Sequence, residues 1–142
     1  EMQQGMAQAV QSLPADIAGG TVYLEVNRGP YAAGPTSFMG ELLASMGMRN
    51  IVPADLGPFP KLNPEFVMRA QPDVILITNP SMEGSGSYPG WNTLRAVRAQ
   101  RVCEFDAAAA DVLVRPGPRM AEAARLMAQC LAEKAPRRGH GG

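Results

Sequence analysis

The sequence predicts an α/β fold: a three-layer α/β/α sandwich with a mainly parallel central sheet. Along the chain, stretches with apolar residues at helical spacing alternate with short β-branched runs. Strands that alternate with helices form parallel sheets covered on both faces. The chain has 142 residues, of which 46% are hydrophobic, enough for one core. We therefore expect one folded unit over residues 21–134, with the apolar run Val74–Ile77 at the centre of its sheet.

The first half of the chain supplies two strands and two helices. Residues 21–26, "TVYLEV", predict the first strand, and the Gly- and Pro-rich "NRGPYAAGPT" predicts a loop. The following "SFMGELLASMG" predicts a helix with Ser37 near its start and Gly47 at its end. A short second strand, "NIV", comes next.

A helix runs directly into the central strand in "LNPEFVMRAQPDVILIT". Asn63 suits the N-cap and Pro64 the first turn, and Pro72 ends the helix before the β-branched run. Glu65 is the only acid of this helix. A first-turn carboxylate is favoured by the helix dipole, so the residue alone indicates a solvated helix-terminal charge.

The last third continues the alternation of helices and strands. "NPSMEGSGSYPG" predicts a loop, "WNTLRAV" a short helix, "RVCEF" a strand and "DAAAADVLVRPG" a connection. "PRMAEAARLMAQCLAEK" predicts a long closing helix, and residues 135–142 predict a disordered tail.

Charge and cysteine usage limit the function classes. Thirteen basic and thirteen acidic residues cancel, so nothing favours nucleic acid or an anionic membrane as a partner. The first ten residues, "EMQQGMAQAV", show no export signal. Cys103 and Cys130 have neither C-x-x-C nor zinc-type spacing, and free buried thiols are expected rather than an isolated bridge.

The sequence offers few residues for acid–base or nucleophilic catalysis. The only histidine, His140, lies in the tail, so a Ser or Cys nucleophile has no imidazole base and a histidine metal site is excluded. We expect a binding protein with no catalytic residue, metal or cofactor. In parallel sheets, ligands lie at the carboxyl ends of the strands. The loops that follow the strands bring candidate side chains to that edge: Tyr31, Tyr88, Trp91, Arg115 and Arg119.

Four segments carry a resemblance to a known family. "PYAAGPTSFMGELLASMGMRNIV", "LNPEFVMRAQPDVILIT", "PGWNTLRAVRAQRV" and "RPGPRMAEAARLMA" follow the order and spacing of the C-terminal lobe of helical-backbone substrate-binding proteins of ABC importers, the class III periplasmic binding proteins. The resemblance runs from Thr21 to about Leu131. It implies one Rossmann-like lobe of a two-lobed, extracytoplasmic receptor for cobalamin, a ferric siderophore or haem. Residues 1–13 would then end the helix that connects the lobes.

The resemblance also implies roles for individual residues. Glu65 matches an acid that pairs with arginines of the membrane permease, and Phe59 matches an aromatic residue that contacts the ligand in cobalamin receptors. The other candidates for ligand contact are Tyr31, Tyr88, Trp91, Arg115 and Arg119. Trp91 equally suits a role in capping the core, and the two arginines suit either an anionic ligand or packing of the last helix. A corrinoid is slightly favoured because of Phe59.

Departures from the family pattern leave alternatives open. Some cobalamin-binding relatives join the helix after the first strand to the last helix by a disulfide; Met46 occupies the first of those positions, so Cys130 has no matching partner. One alternative is a flavodoxin-like domain that binds a phosphorylated ligand at residues 84–87. Another is a regulatory module that self-associates. One lobe of a shared cleft should also bind ligand far more weakly than the whole receptor.

Overall fold

A five-stranded, mainly parallel sheet organises the described part of the chain. The computed structural model describes residues 19–27, 31–78, 90, 93–114 and 117–134. The strands are β1 (Thr21–Asn27), β2 (Tyr31–Ala32), β3 (Arg49–Asn50), β4 (Val74–Ile77) and β5 (Val102–Glu104). Their order is β2-β1-β4-β5, and β3 also pairs with β1. Among the strand pairs of the described residues, β1–β2 is antiparallel and the other three are parallel, so the expectation of a mainly parallel sheet is confirmed.

Helices cover both faces of this sheet. They are α1 (Phe38–Ser45), α2 (Pro64–Ala70), α3 (Arg95–Arg98), α4 (Ala107–Val114) and α5 (Met120–Lys134). Short 3-10 turns occupy Ala54–Leu56 and Gly117–Arg119. None of the helices in the described residues has the length and apolar character needed to cross a membrane.

Two apolar clusters, one on each face of the sheet, form the core. Val22 and Leu24 of β1 pack with α1, α4 and α5, whereas Tyr23 of the same strand packs with α2 and α3. This alternation follows from the two-residue period of a strand. All four residues of β4 are buried between β1 and β5, so both the three-layer arrangement and the central place of β4 are confirmed.

Local capping explains where the first two helices begin. The Ser37 side chain accepts the N–H of Gly40 at the start of α1, and Gly47 follows that helix with a φ of 88°. The Asn63 side chain accepts the N–H of Glu65, and Pro64 is the first residue of α2. The sequence predicted these four residues correctly.

The predicted connection after β5 is instead partly a helix. Asp106 starts α4, because its side chain accepts the N–H of Ala109 and its carbonyl accepts the N–H of Ala110. The alanine run that follows has high helix propensity. Two smaller differences concern strands: the predicted loop after β1 contains β2, and the second parallel strand is Arg49–Asn50 rather than residues 50–52.

The expectation of free thiols is wrong. Cys103 of β5 and Cys130 of α5 form a disulfide, with their Cα atoms 6.1 Å apart. Packing explains the pairing, because α5 lies against the sheet in the cluster that holds Cys130 and touches Cys103. The bridge differs from the family disulfide considered above, since it joins the last helix to a strand. The predicted helix end at residues 1–13 and tail at 135–142 lie outside the described residues.

Candidate ligand-binding site

A short ladder of backbone hydrogen bonds extends the sheet at the carboxyl end of β1. The N–H of Ala32 donates to the carbonyl of Pro60 at 3.0 Å, and the N–H of Gly34 donates to that of Pro58 at 2.7 Å. Tyr31 forms an antiparallel bridge with Lys61. The segment 58–61 therefore runs antiparallel to the segment 31–34.

Prolines and glycines make this close pairing feasible. Pro58 and Pro60 contribute only carbonyl acceptors, since proline has no N–H. The Gly34 carbonyl accepts instead from the N–H and the hydroxyl of Ser37, at 3.1 and 2.7 Å. A Cβ atom at Gly34 would overlap the carbonyl oxygen of Gly57, so the approach of the two segments requires glycine there.

The register of the ladder predicts a common face for Tyr31 and Phe59. Its register pairs Tyr31 with Lys61 and Ala33 with Phe59, and side chains of opposed residues and of residues two apart point to the same side. The two aromatic residues are diagonal neighbours, whose Cα atoms lie roughly 7–8 Å apart in such pairs. Tyr31 is 39% exposed and Phe59 is 51% exposed. Tyr31 and Phe59 are thus accessible residues on paired segments, and together they define the aromatic surface.

A buried carboxylate lies beside this ladder. Glu25, which pairs with Ala32, is fully buried, and the Tyr23 hydroxyl donates to its Oε1 atom at 2.7 Å. The N–H and the hydroxyl of Thr78 donate to the Glu25 backbone carbonyl at 3.0 and 3.1 Å. Sequence reasoning missed Glu25, although the strand "TVYLEV" places its acid on the same face as Tyr23. These bonds fix the strand that supports the aromatic surface.

Glu65 lies on the surface at the first turn of α2. Its side chain is exposed, and within the described ranges it forms no ion pair with a lysine or arginine. Neither Lys61 nor Arg69, the two cations on its own segment, pairs with it. This arrangement meets the conditions expected of a docking residue, and the docking itself stays a prediction.

Of the remaining candidates, Arg119 alone lies within the described residues. Arg119 is exposed, and its guanidinium lies 3.4 Å from a carboxylate oxygen of Asp111, which connects the start of α5 to α4. That contact fits the packing role considered for this arginine, and its role in ligand binding stays a prediction. Three candidates lie outside the described residues, as does the loop 84–87: Tyr88, Trp91 and Arg115.

A separate cavity of about 370 Å³ lies at the β5 edge of the sheet. Its walls come from β5, α4 and α5, and they include the disulfide. The predicted ligand residues that the structure describes, Tyr31, Phe59 and Arg119, do not line it. Within the part of the chain that the structure describes, no group of three or more His, Cys, Asp or Glu side chains is arranged to hold a metal.

Comparison with known proteins supports the resemblance seen in the sequence. Residues 1–109 match the model of a family described as periplasmic binding protein. A search of the curated proteins finds no match.

Several solved structures share the fold. A possible iron-binding periplasmic solute-binding protein from Staphylococcus epidermidis superimposes with a TM-score of 0.74 at 21% identity, over 92% of this chain and 52% of that one. The periplasmic haem-binding protein BhuT, solved with two haems, gives 0.73 at 23% identity, over 94% and 52%. The vitamin B12-binding protein BtuF of Vibrio cholerae gives 0.72 at 22% identity, over 93% and 52%.

The chain thus spans about half the length of these structures. The likeness shows a shared fold, and the family-model match covers more than half of the sequence. On that match, this chain belongs to the periplasmic binding protein family.

Proposed function

We propose that this chain provides one ligand-binding face of the substrate-binding component of an ABC importer. The whole receptor captures a cobalamin-like corrinoid, a ferric siderophore or haem between two lobes and delivers it to a membrane permease. The observation that carries the proposal is the exposed aromatic surface of Tyr31 and Phe59 at the carboxyl edge of the sheet. Aromatic faces suit flat macrocycles and catecholates, because ring pairs stabilise beyond the area they bury.

The family supports a transport role rather than catalysis. Similar structures are described as a possible iron-binding protein, a haem-binding protein and a vitamin B12-binding protein, and haem and vitamin B12 are metal chelates. In our proposal a second lobe faces the aromatic surface, because this chain spans only about half of those structures. The receptor works in the periplasm or an equivalent extracytoplasmic space.

Titration of the 142-residue chain tests ligand capture. Haemin, cyanocobalamin and a ferric catecholate siderophore are added separately, and binding is followed by absorbance and calorimetry. We expect at least one to bind with micromolar or weaker affinity, since one face supplies only part of the contact. Phe59→Ala and Tyr31→Ala should each weaken the binding of that ligand about tenfold, because each removes one stacked ring.

Leu56→Ala is the matched control. Leu56 is 49% exposed in the same loop region, but it lies outside the ladder that defines the aromatic surface. Its replacement should leave binding unchanged. Absence of binding by all three ligands, or equal losses in the control and the aromatic variants, would contradict the proposal. Submicromolar binding would show that the chain forms a complete site and that no second lobe shares it.

Permease docking through Glu65 is a second part of the proposal. An exposed carboxylate that has no ion pair within the described part of the chain is available to an arginine of another protein. In the receptor reconstituted with its permease, Glu65→Gln should slow transport and weaken salt-sensitive association. Stability should change by less than about 0.5 kcal/mol, as for other exposed substitutions.

A matched control for docking is available on α1. Glu41 is also an exposed acid in the first turn of its helix, so Glu41→Gln changes the same charge elsewhere. Transport should be normal in this variant. Equal transport rates for Glu65→Gln and the unchanged receptor would leave Glu65 as a helix-terminal charge and remove docking from its role.

A further inference from the structure

Lys61 occupies a specific position beside the aromatic surface. It is the residue directly opposite Tyr31 in the antiparallel bridge, and it lies two positions after Phe59 on the same segment. Opposed residues that do not exchange hydrogen bonds have their Cβ atoms roughly 4.5–5.5 Å apart. Lys61 therefore lies on the same face of the bridge as Tyr31, and its side chain is exposed.

The Lys61 ammonium has no partner among the residues that the structure describes. Within the described ranges, the side chain forms neither an ion pair nor a hydrogen bond with a carboxylate. The acids closest along the chain are Asp55 and Glu65, and neither pairs with it. An ammonium on a flexible four-carbon stem reaches across a neighbouring ring while its charge stays in solvent. The face thus combines two aromatic rings with one unpaired positive charge.

We propose that Lys61 selects ligands by charge, and that the site takes a flat conjugated ring system carrying at least one carboxylate. This inference rests on the proposed function, because it assumes that Tyr31 and Phe59 contact the ligand. The ring body lies on the aromatic residues, and its carboxylate accepts a hydrogen bond from the Lys61 ammonium. Charge-assisted hydrogen bonds of this kind are stronger than neutral ones.

Lys61 favours a carboxylated ring over the corrinoid that Phe59 alone suggests. A ligand whose peripheral groups are neutral amides offers Lys61 no carboxylate. Binding such a ligand against the same face would displace water from the ammonium without an ionic contact in return. A ring with acidic substituents contacts the aromatic residues through its ring and the Lys61 ammonium through its carboxylate.

Haemin and its dimethyl ester provide the test, since they share one ring and differ in their carboxylates. Binding of each to the 142-residue chain is followed by the absorbance of the porphyrin. We expect Lys61→Gln to weaken haemin binding about tenfold, because one charge-assisted hydrogen bond is lost. The same substitution should leave the affinity for the ester unchanged. Lys61→Arg should retain haemin binding. The Lys61→Gln variant should also lose part of the salt dependence of haemin binding.

The control is Lys134→Gln, which removes the same charge from α5, where Lys134 lines the cavity at the opposite edge of the sheet. The inference would be overturned if Lys61→Gln reduced the affinities for haemin and for the ester equally, or if it left the affinity for haemin unchanged. The proposed function would still stand in either case if Phe59→Ala weakened the binding of both ligands. Failure of the unchanged chain to bind haemin, the ester and cyanocobalamin would overturn the inference and the proposed function together.

Discussion

Reduction of the Cys103–Cys130 disulfide should destabilise the fold strongly. The two cysteines are 27 residues apart, and the bridge joins the edge strand β5 to the last helix. In the chain-entropy account, a cross-link that closes a loop of this length stabilises the native state by about 3.5 kcal/mol. A typical protein of this size loses about 2 kcal/mol per molar urea. Reduction should therefore lower the urea midpoint by about 1.5–2 M.

Urea unfolding followed by far-UV circular dichroism measures this shift, with and without a phosphine reductant. The double variant Cys103→Ala/Cys130→Ala serves as the control, because its unfolding should not respond to the reductant. Alkylation in denaturant followed by mass measurement counts free thiols independently. Two alkylated thiols in the untreated protein, or an unchanged midpoint after complete reduction, would refute the reasoning.

Three further substitutions test the contacts that hold the fold. Tyr23→Phe removes the donor to the buried Glu25 carboxylate and should cost about 1.5–3 kcal/mol in urea unfolding, whereas no loss would mean that this bond adds nothing. Asp106→Ala removes the cap of α4 and should cost about 1 kcal/mol; an unchanged midpoint would show that the cap is dispensable. Gly40→Ala should destabilise by about 1–3 kcal/mol despite the better helix propensity of alanine, because a Cβ atom there overlaps the preceding turn, and a more stable variant would disprove that overlap.

The sequence predicted the fold well wherever local signals agreed with tertiary packing. Asn63, Pro64 and Pro72 set the limits of α2 and the start of β4, and the buried run of β4 became the central strand. The helix α4 was missed because its alanines carry no apolar periodicity that distinguishes a helix from a connection. The disulfide was missed because its two cysteines come from distant elements, and sequence spacing holds no information on how α5 packs against β5.

The candidate site was predictable only in part. Phe59 and Tyr31 were identified from a resemblance and from their places in loops, respectively. Their common face depends on a pairing between segments that the sequence presents as Pro- and Gly-rich loops, in which proline suppresses the usual strand signal. Lys61 gained significance only through its register with Tyr31. Glu25 was overlooked although Tyr23 lies two residues earlier on the same strand face, because a single acid within an apolar strand does not show whether that acid is buried.

The two prolines that flank Phe59 have a consequence for the thermodynamics of binding. The pyrrolidine ring of each proline fixes the φ angle of that proline near −65°. The backbone carbonyls of both prolines accept hydrogen bonds from the neighbouring segment. The backbone that carries Phe59 therefore gives up its conformational entropy during folding rather than during association. A ligand that stacks on this ring need only arrest the rotation of the side chain, so more of the contact energy is retained as affinity. The rigid backbone at Phe59 thus preorganises this surface for its ligand, even though the chain supplies only one face of the proposed cleft.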